Sequence, residues 1–186
     1  MSKKFIKGDV DLSNLHLKQL PVGLLNDVHV GGYFVCSNNN LTSLVGVPKT
    51  VGGNFSCYNN KLTSLEGSTK TVGGYFVCYN NRLTSLEGAP NSVGSHFWCN
   101  NNKLTSLEGA PKTVGGGFSC HNNNLTSLAG SPNSVGGDFW CNNNNLTSLV
   151  GAPKTVGGDF ICRNNAVKFT EAQVRAVCKV KGRVYV

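Results

Sequence analysis

No stretch of the 186-residue sequence approaches the eighteen apolar residues that a membrane helix needs, and the N-terminal "MSKKFIKGDV" lacks the apolar run of a secretion signal. A soluble, cytoplasmic protein is therefore expected. Three Asn-Leu-Thr sequons, at Asn40, Asn124 and Asn145, would be glycosylation acceptors only in a secreted protein. The eight cysteines include no CxxC-like pair, so a zinc site is not expected. The Gly-rich "VGG" turns lack the Lys and the helix of a phosphate loop, and no Ser-His-Asp or Cys-His arrangement is present: Cys120 and His121 are adjacent in a strand and face opposite ways. No cofactor is called for.

The net charge of +8 does not make a basic groove. Lys3, Lys4 and Lys7 lie at one end; Arg163, Lys168, Arg175, Lys179, Lys181 and Arg183, against Glu171, lie at the other; residues 8 to 162 carry eight charges of each sign. A nucleic-acid binder needs its cations along the surface that tracks the phosphates, so nucleic acid is not the expected partner.

What the chain has is one 21-residue unit copied six times without a gap from Leu41 to Ala166, as in "LTSLEGAPKTVGGGFSCHNNN" from Leu104 to Asn124. A period near twenty is a solenoid signature, each unit burying its apolar side only by stacking on its neighbours. The second half of the unit recurs at Val30 to Asn40, and Val10, Leu12, Asn14 and Leu17 keep the spacing of Phe34, Cys36, Asn38 and Leu41. The expected organisation is a single domain over residues 1–186. Residues 8–40 form the N-terminal cap and first coils, 41–166 the six repeats, and 167–186 a C-terminal cap. In that cap Thr170 reads as an N-cap, Val174, Val177 and Cys178 follow at helical spacing, and Val184 and Val186 alternate after Gly182 as in a last strand.

Seven cysteines fall on the period, each two residues after a Phe: Cys36, Cys57, Cys78, Cys99, Cys120, Cys141 and Cys162. Residues i and i+2 of a strand share a face, so Phe and Cys point inward together and the thiols are expected to be reduced, inert core groups.

Written from the Phe, each unit reads FxCxNNxLTSLxGxPxxVGG, which resembles the leucine-rich-repeat consensus LxxLxLxxNxL with Phe and Cys at two strand positions. It looks closest to the short bacterial subtype of effector proteins and to similar repeats of tailed phages. It departs from them in having Gly for the first strand Leu, with Val51 and its copies one place earlier. The resemblance implies a right-handed horseshoe with a parallel β-sheet on its concave face, little helix in the repeats, and a column from Asn39 to Asn165 whose amides bond the backbone of adjacent coils. The convex side is expected to be irregular or extended. A parallel β-helix is the competing solenoid. The Gly-Gly pairs entering each strand are expected to allow either positive φ or close coil stacking.

Function is expected where the copies disagree, at outward strand positions. These give triplets from Tyr33, Val35, Ser37 to Asp159, Ile161, Arg163, a surface about 35 to 40 Å long at about 4.8 Å per strand. The expected partner-binding residues are Tyr33, Tyr58, Tyr75, Tyr79, His96, Trp98, Ser119, His121, Asp138, Trp140, Asp159, Ile161 and Arg163. Exposed aromatics on one face are enriched at binding hot spots, although cross-strand pairing alone also explains a pair such as Tyr58 and Tyr79. Trp98 and Trp140 share a column two strands apart with Ser119 and Gly117 between them, a spacing that suggests a notch for one ring. Asp138 and Asp159 are neighbours at the separation of a retaining glycosidase, but adjacent strands impose that separation on any such pair and the face offers no enclosed cleft. The reading is a monomeric, non-enzymatic protein-interaction module. The resemblance implies a phage or bacterial factor that blocks a host defence protein by occupancy. Alternatives are a binder sequestering a small molecule or nucleotide in the Trp98/Trp140 notch, and a structural, virion-associated protein.

Overall fold

The computed structural model describes residues 4–21 and 23–186; Lys3 of the basic N-terminal cluster and Val22 of the first coils lie outside them. The chain winds into a leucine-rich-repeat solenoid whose coils are joined by two nine-stranded, wholly parallel sheets. One sheet collects the Phe strands, running from Val10–Asp11 through Phe34–Val35, Phe55–Ser56, Phe76–Val77, Phe97–Trp98, Phe118–Ser119, Phe139–Trp140 and Phe160–Ile161 to Val184–Tyr185. Its register sets Phe on Phe in successive coils. The other collects the Val strands, from Lys4–Ile6 and Val28–Val30 through Thr50–Val51 and its copies to Lys179–Val180. Of the two expectations for this side, irregular or extended, the extended one is found: it carries its own parallel ladder, with each repeat Val turned inward and buried.

Between the sheets lies a core of stacked columns. All seven repeat Phe side chains are fully buried, with successive ring centroids 5.1 to 5.7 Å apart. Burying one such ring contributes about 2 to 3 kcal/mol. Cys and Leu columns complete the core, and all eight thiols are free and buried.

Two asparagine columns make the corner after each Phe strand, for different reasons. The first Asn of each pair adopts φ between +51° and +56°, the left-handed region that Asn tolerates better than most residues. Its amide donates outside the core to the same Asn of the coil before, as from Asn59 to Asn38 and Asn122 to Asn101. The second Asn turns inward. Asn123 accepts from the Leu104 N–H (3.0 Å) and donates to the carbonyls of Cys99 (3.2 Å) in the preceding coil and Cys120 (3.0 Å) in its own. Asn123→Ala would strand that N–H in the core and leave the Cys99 and Cys120 carbonyls to the amides of Asn102 and Asn144 alone, so an expected loss of about 2 kcal/mol should appear as a lower urea midpoint. Asn122→Ala loses two solvent-exposed amide bonds, to Asn101 and from Asn143, and incurs the left-handed backbone penalty, about 1 kcal/mol in all. Equal losses in the two variants would refute the ladder's role.

The glycines divide similarly. Positive φ belongs to the Gly after LTSLx, at Gly46, Gly67, Gly88, Gly109, Gly130 and Gly151, not to the "VGG" pair. The pair serves close stacking instead: a Cβ on Gly115 or Gly136 would run into the carbonyl of the equivalent Gly one coil earlier.

Beyond the repeats, Thr170 caps a helix over Glu171–Val177 in a capping box with Gln173, and Val174 is the buried anchor of that helix. Val177, although at helical spacing, is exposed, and Cys178 is the buried C-cap. The tail then supplies a strand to each sheet, Lys179–Val180 pairing with Thr155–Val156 and Val184–Tyr185 with Phe160–Ile161. At the other end, the first strand among the described residues, Lys4–Ile6, pairs with Val28–Val30.

Candidate functional site

The outward residues of the Phe sheet form three columns, because the ladder hydrogen bonds of each strand place equivalent residues of successive coils side by side. In the first column, which holds Tyr33, Tyr75, His96, Asp138 and Asp159, side-chain acceptors take the N–H of the next coil. Asn54 Oδ1 accepts from Tyr75 N (2.9 Å), His96 Nδ1 from Gly117 N (2.8 Å), Asp138 Oδ1 from Asp159 N (2.8 Å) and Asp159 Oδ1 from Arg183 N (2.7 Å). Each carboxylate of the Asp138/Asp159 pair therefore has one oxygen committed to the backbone. These N–H groups offset the like charges without an added cation, and the pair acts as a device for stacking coils.

The aromatics resolve into clusters. Tyr58 and Tyr79, in the third column, stack at 4.8 Å with planes 10° apart. Tyr75 stacks on Trp98 at 5.8 Å and meets His96 at 5.2 Å, His96 in turn lying 5.8 Å from Trp98. Tyr33, at the N-terminal end, is exposed and donates its N–H to Asp9.

Trp140 behaves differently. Its Cζ3 lies 2.7 Å from where a Cβ on Gly117 would sit, so the indole leans into the space that the missing side chain leaves. Ser119 beneath is only 4 % exposed, and its Oγ meets His121 Nδ1 at 2.7 Å. Burial holds the His121 imidazole below its ordinary pKa, favouring the neutral ring. The space between the two indoles is thus taken up by Trp140 itself.

The opening lies on the other side of that ring. A groove of about 270 Å³ is bounded by His121, Trp140, Asn142, Ile161, Arg163 and Tyr185. Trp140, Ile161 and Tyr185 are successive residues of the second column, in register across three strands. Tyr185 was not among the expected residues, because the tail does not carry the repeat consensus. The signal was present, however: Arg183, Val184 and Tyr185 take the places of Asp159, Phe160 and Ile161. All five tyrosines and both tryptophans of the chain consequently lie on this one face. A larger groove, about 620 Å³, runs elsewhere along Gly46, Gly67, Gly88 and Gly109 with Asp27, Lys49, Glu66 and Lys70 at its edges, and holds none of the expected residues.

Among the described residues no cluster of three or more His, Cys, Asp or Glu is placed to hold a metal ion, and no helix is long and apolar enough to cross a membrane.

No family model matches the sequence, and no curated protein matches it. Solved structures do match the fold. A Shigella effector LRR domain superposes with a TM-score of 0.64 at 18 % identity, over 94 % of this chain and 81 % of that one. YopM from Yersinia enterocolitica WA-314 superposes with a TM-score of 0.52 at 20 % identity, over 84 % of this chain and 38 % of that one. At such identities the likeness establishes a leucine-rich-repeat fold, and residue roles must come from this chain's own surface.

Proposed function

We propose that the protein is a non-enzymatic interaction module that captures a protein partner on the outer face of its Phe sheet. The observation that carries this reading is the gathering of every Tyr and Trp of the chain on one face. Tyr58 and Tyr79 satisfy each other by stacking, which is a sheet-stabilising role. Tyr75, Trp98, Trp140 and Tyr185 remain partly solvent-facing, and such aromatics are the commonest anchors of protein interfaces. In this reading the polar end with Asp138, Asp159 and Arg163 sets orientation. The setting suggested by the repeat resemblance is a phage or bacterial protein that inhibits a host defence factor by occupying its surface.

The test is affinity capture from host lysate with wild type and the Trp98→Ala/Trp140→Ala double variant, after checking that both melt at similar temperatures. A protein retained by wild type and lost by the variant supports the proposal; identical captured proteins at identical levels refute it.

A further inference from the structure

Within that face the groove beside Trp140 is small, walled and charged on one side, and these features specify an occupant. Its volume of about 270 Å³ is below the roughly 300 to 1,000 Å³ of sites that take drug-sized ligands, so it suits one side chain better than a nucleotide. Two walls are aromatic, the Trp140 indole and the Tyr185 phenol, carried on strands two spacings apart, about 9.6 Å. Ile161, 9 % exposed, forms the floor between them. That geometry accepts a flat ring between two rings over an aliphatic base.

The rim is cationic. Arg163 lines the groove, is exposed, and has no carboxylate within salt-bridge distance among the described residues, where Arg175 with Glu171 forms the sole ion pair. The other polar members are Asn142, which carries no charge, and His121, whose pKa burial lowers. Arg183, immediately before the last strand, takes the first-column position two residues from Tyr185. Asp138 and Asp159 are the nearby acids in that column, and each has one oxygen already occupied by a backbone N–H, from Asp159 and Arg183. Lys168, Lys179 and Lys181 are exposed in the tail that forms this end. A segment approaching here meets a field that attracts acid.

We propose that this groove seats an aromatic side chain from an acidic segment of the partner, the ring held between Trp140 and Tyr185 and a neighbouring carboxylate held by Arg163. The inference rests on the face being protein-binding and adds which end engages first and the chemistry it selects. The groove lies at the terminal strand of the sheet, so an extended segment reaches it without threading past other coils.

The direct test uses three capped tripeptides, Asp-Tyr-Glu, Asp-Ala-Glu and Lys-Tyr-Lys, titrated into the full-length protein while the two indole N–H signals are followed by NMR, assigned with Trp140→Phe. The Trp140 signal should shift saturably with Asp-Tyr-Glu, weakly with Lys-Tyr-Lys, and not with Asp-Ala-Glu. Arg163→Glu should weaken the acidic peptide about tenfold and reverse the charge preference, as loss of a charged hydrogen bond implies. A Trp140 signal that never moves, one that moves alike with all three peptides, or an unchanged preference in Arg163→Glu overturns the proposal. Lysate capture separates it from the wider reading. If Arg163→Glu and Tyr185→Ala retain a partner that the double Trp variant loses, the groove is not the seat but the face still binds. If the double Trp variant loses nothing, the face itself is not the binding surface.

Discussion

Gly136→Val is expected to cost about 4 kcal/mol or more and to leave the solenoid partly or wholly unfolded at room temperature, a loss of the size that only a few mechanisms produce. A Cβ at Gly136 would be forced against the Gly115 carbonyl oxygen, with the carbonyl carbon only 2.8 Å away. Both atoms are backbone, so no rotamer change relieves the contact. The coils must instead separate, which lengthens the bonds from Gly136 N to Val114 O (2.9 Å) and Gly157 N to Val135 O (2.9 Å) and loosens the Val column beside them. Because each coil contacts only its neighbours, a wedge there divides the core into two stacks with exposed ends. Gly136 is not at positive φ, so the penalty comes from crowding and not from torsion. Gly8, where an added Cβ meets nothing within 4 Å, provides the control: Gly8→Ala should change stability by less than about 0.5 kcal/mol. Urea denaturation of the variants distinguishes the outcomes, and a Gly136→Val protein with a wild-type midpoint would show that the coils are not in contact there.

The repeat made most of the scaffold legible in the sequence, since each Phe, Cys, Asn and Leu column is defined by many copies of one environment. The buried Phe-Cys pairs could be placed from spacing, and the Asn39 to Asn165 column from the resemblance of the unit to leucine-rich repeats. The Val sheet was not legible as a sheet because each repeat turns a single residue, Val, inward before the Gly pair, whereas the equally short Phe strands are marked by the Phe-x-Cys alternation. Likewise, "VGG" permits both positive φ and close approach, and only the packing of neighbouring coils shows which is used. The candidate site was legible as a face but not as a groove. Where Trp140 points depends on the absence of a side chain at Gly117 one coil earlier, and Tyr185 joins the face because a tail without the consensus adds one more strand. Columns follow from periodicity, whereas the direction of a large side chain follows from its particular neighbours.

Above about pH 9 the protein is expected to lose stability steeply, and the cysteine column is the cause. Burial pushes the thiols of Cys36, Cys57, Cys78, Cys99, Cys120 and Cys141 far above the ordinary value of 9.0, and Cys162 and Cys178 to about 11. The dominant cause is desolvation, since a thiolate in an apolar column loses its water without gaining a cation. Below pH 9 the thiols are protonated in both the folded and unfolded chain, and this contribution to stability is fully present. As pH rises past that value the unfolded chain releases protons that the folded chain keeps, so the unfolded state binds fewer protons and stability falls. Each thiol contributes a slope of about 1.4 kcal/mol per pH unit once ionised in the unfolded chain, and six deeply buried ones together about 8 kcal/mol per unit. A domain's whole stability is about 5 to 15 kcal/mol, so cooperative unfolding should occur within a unit or two of pH 9. Urea midpoints measured under reductant from neutral to alkaline pH, alongside thiolate absorbance, check this directly. Cys99→Ala should be less stable than wild type at pH 7 and show a shallower decline, by about 1.4 kcal/mol per pH unit. A stability that stays level through pH 10.5, or a native protein whose column thiols ionise near their ordinary value, would mean that the column is open to water and that its cysteines are available for chemistry.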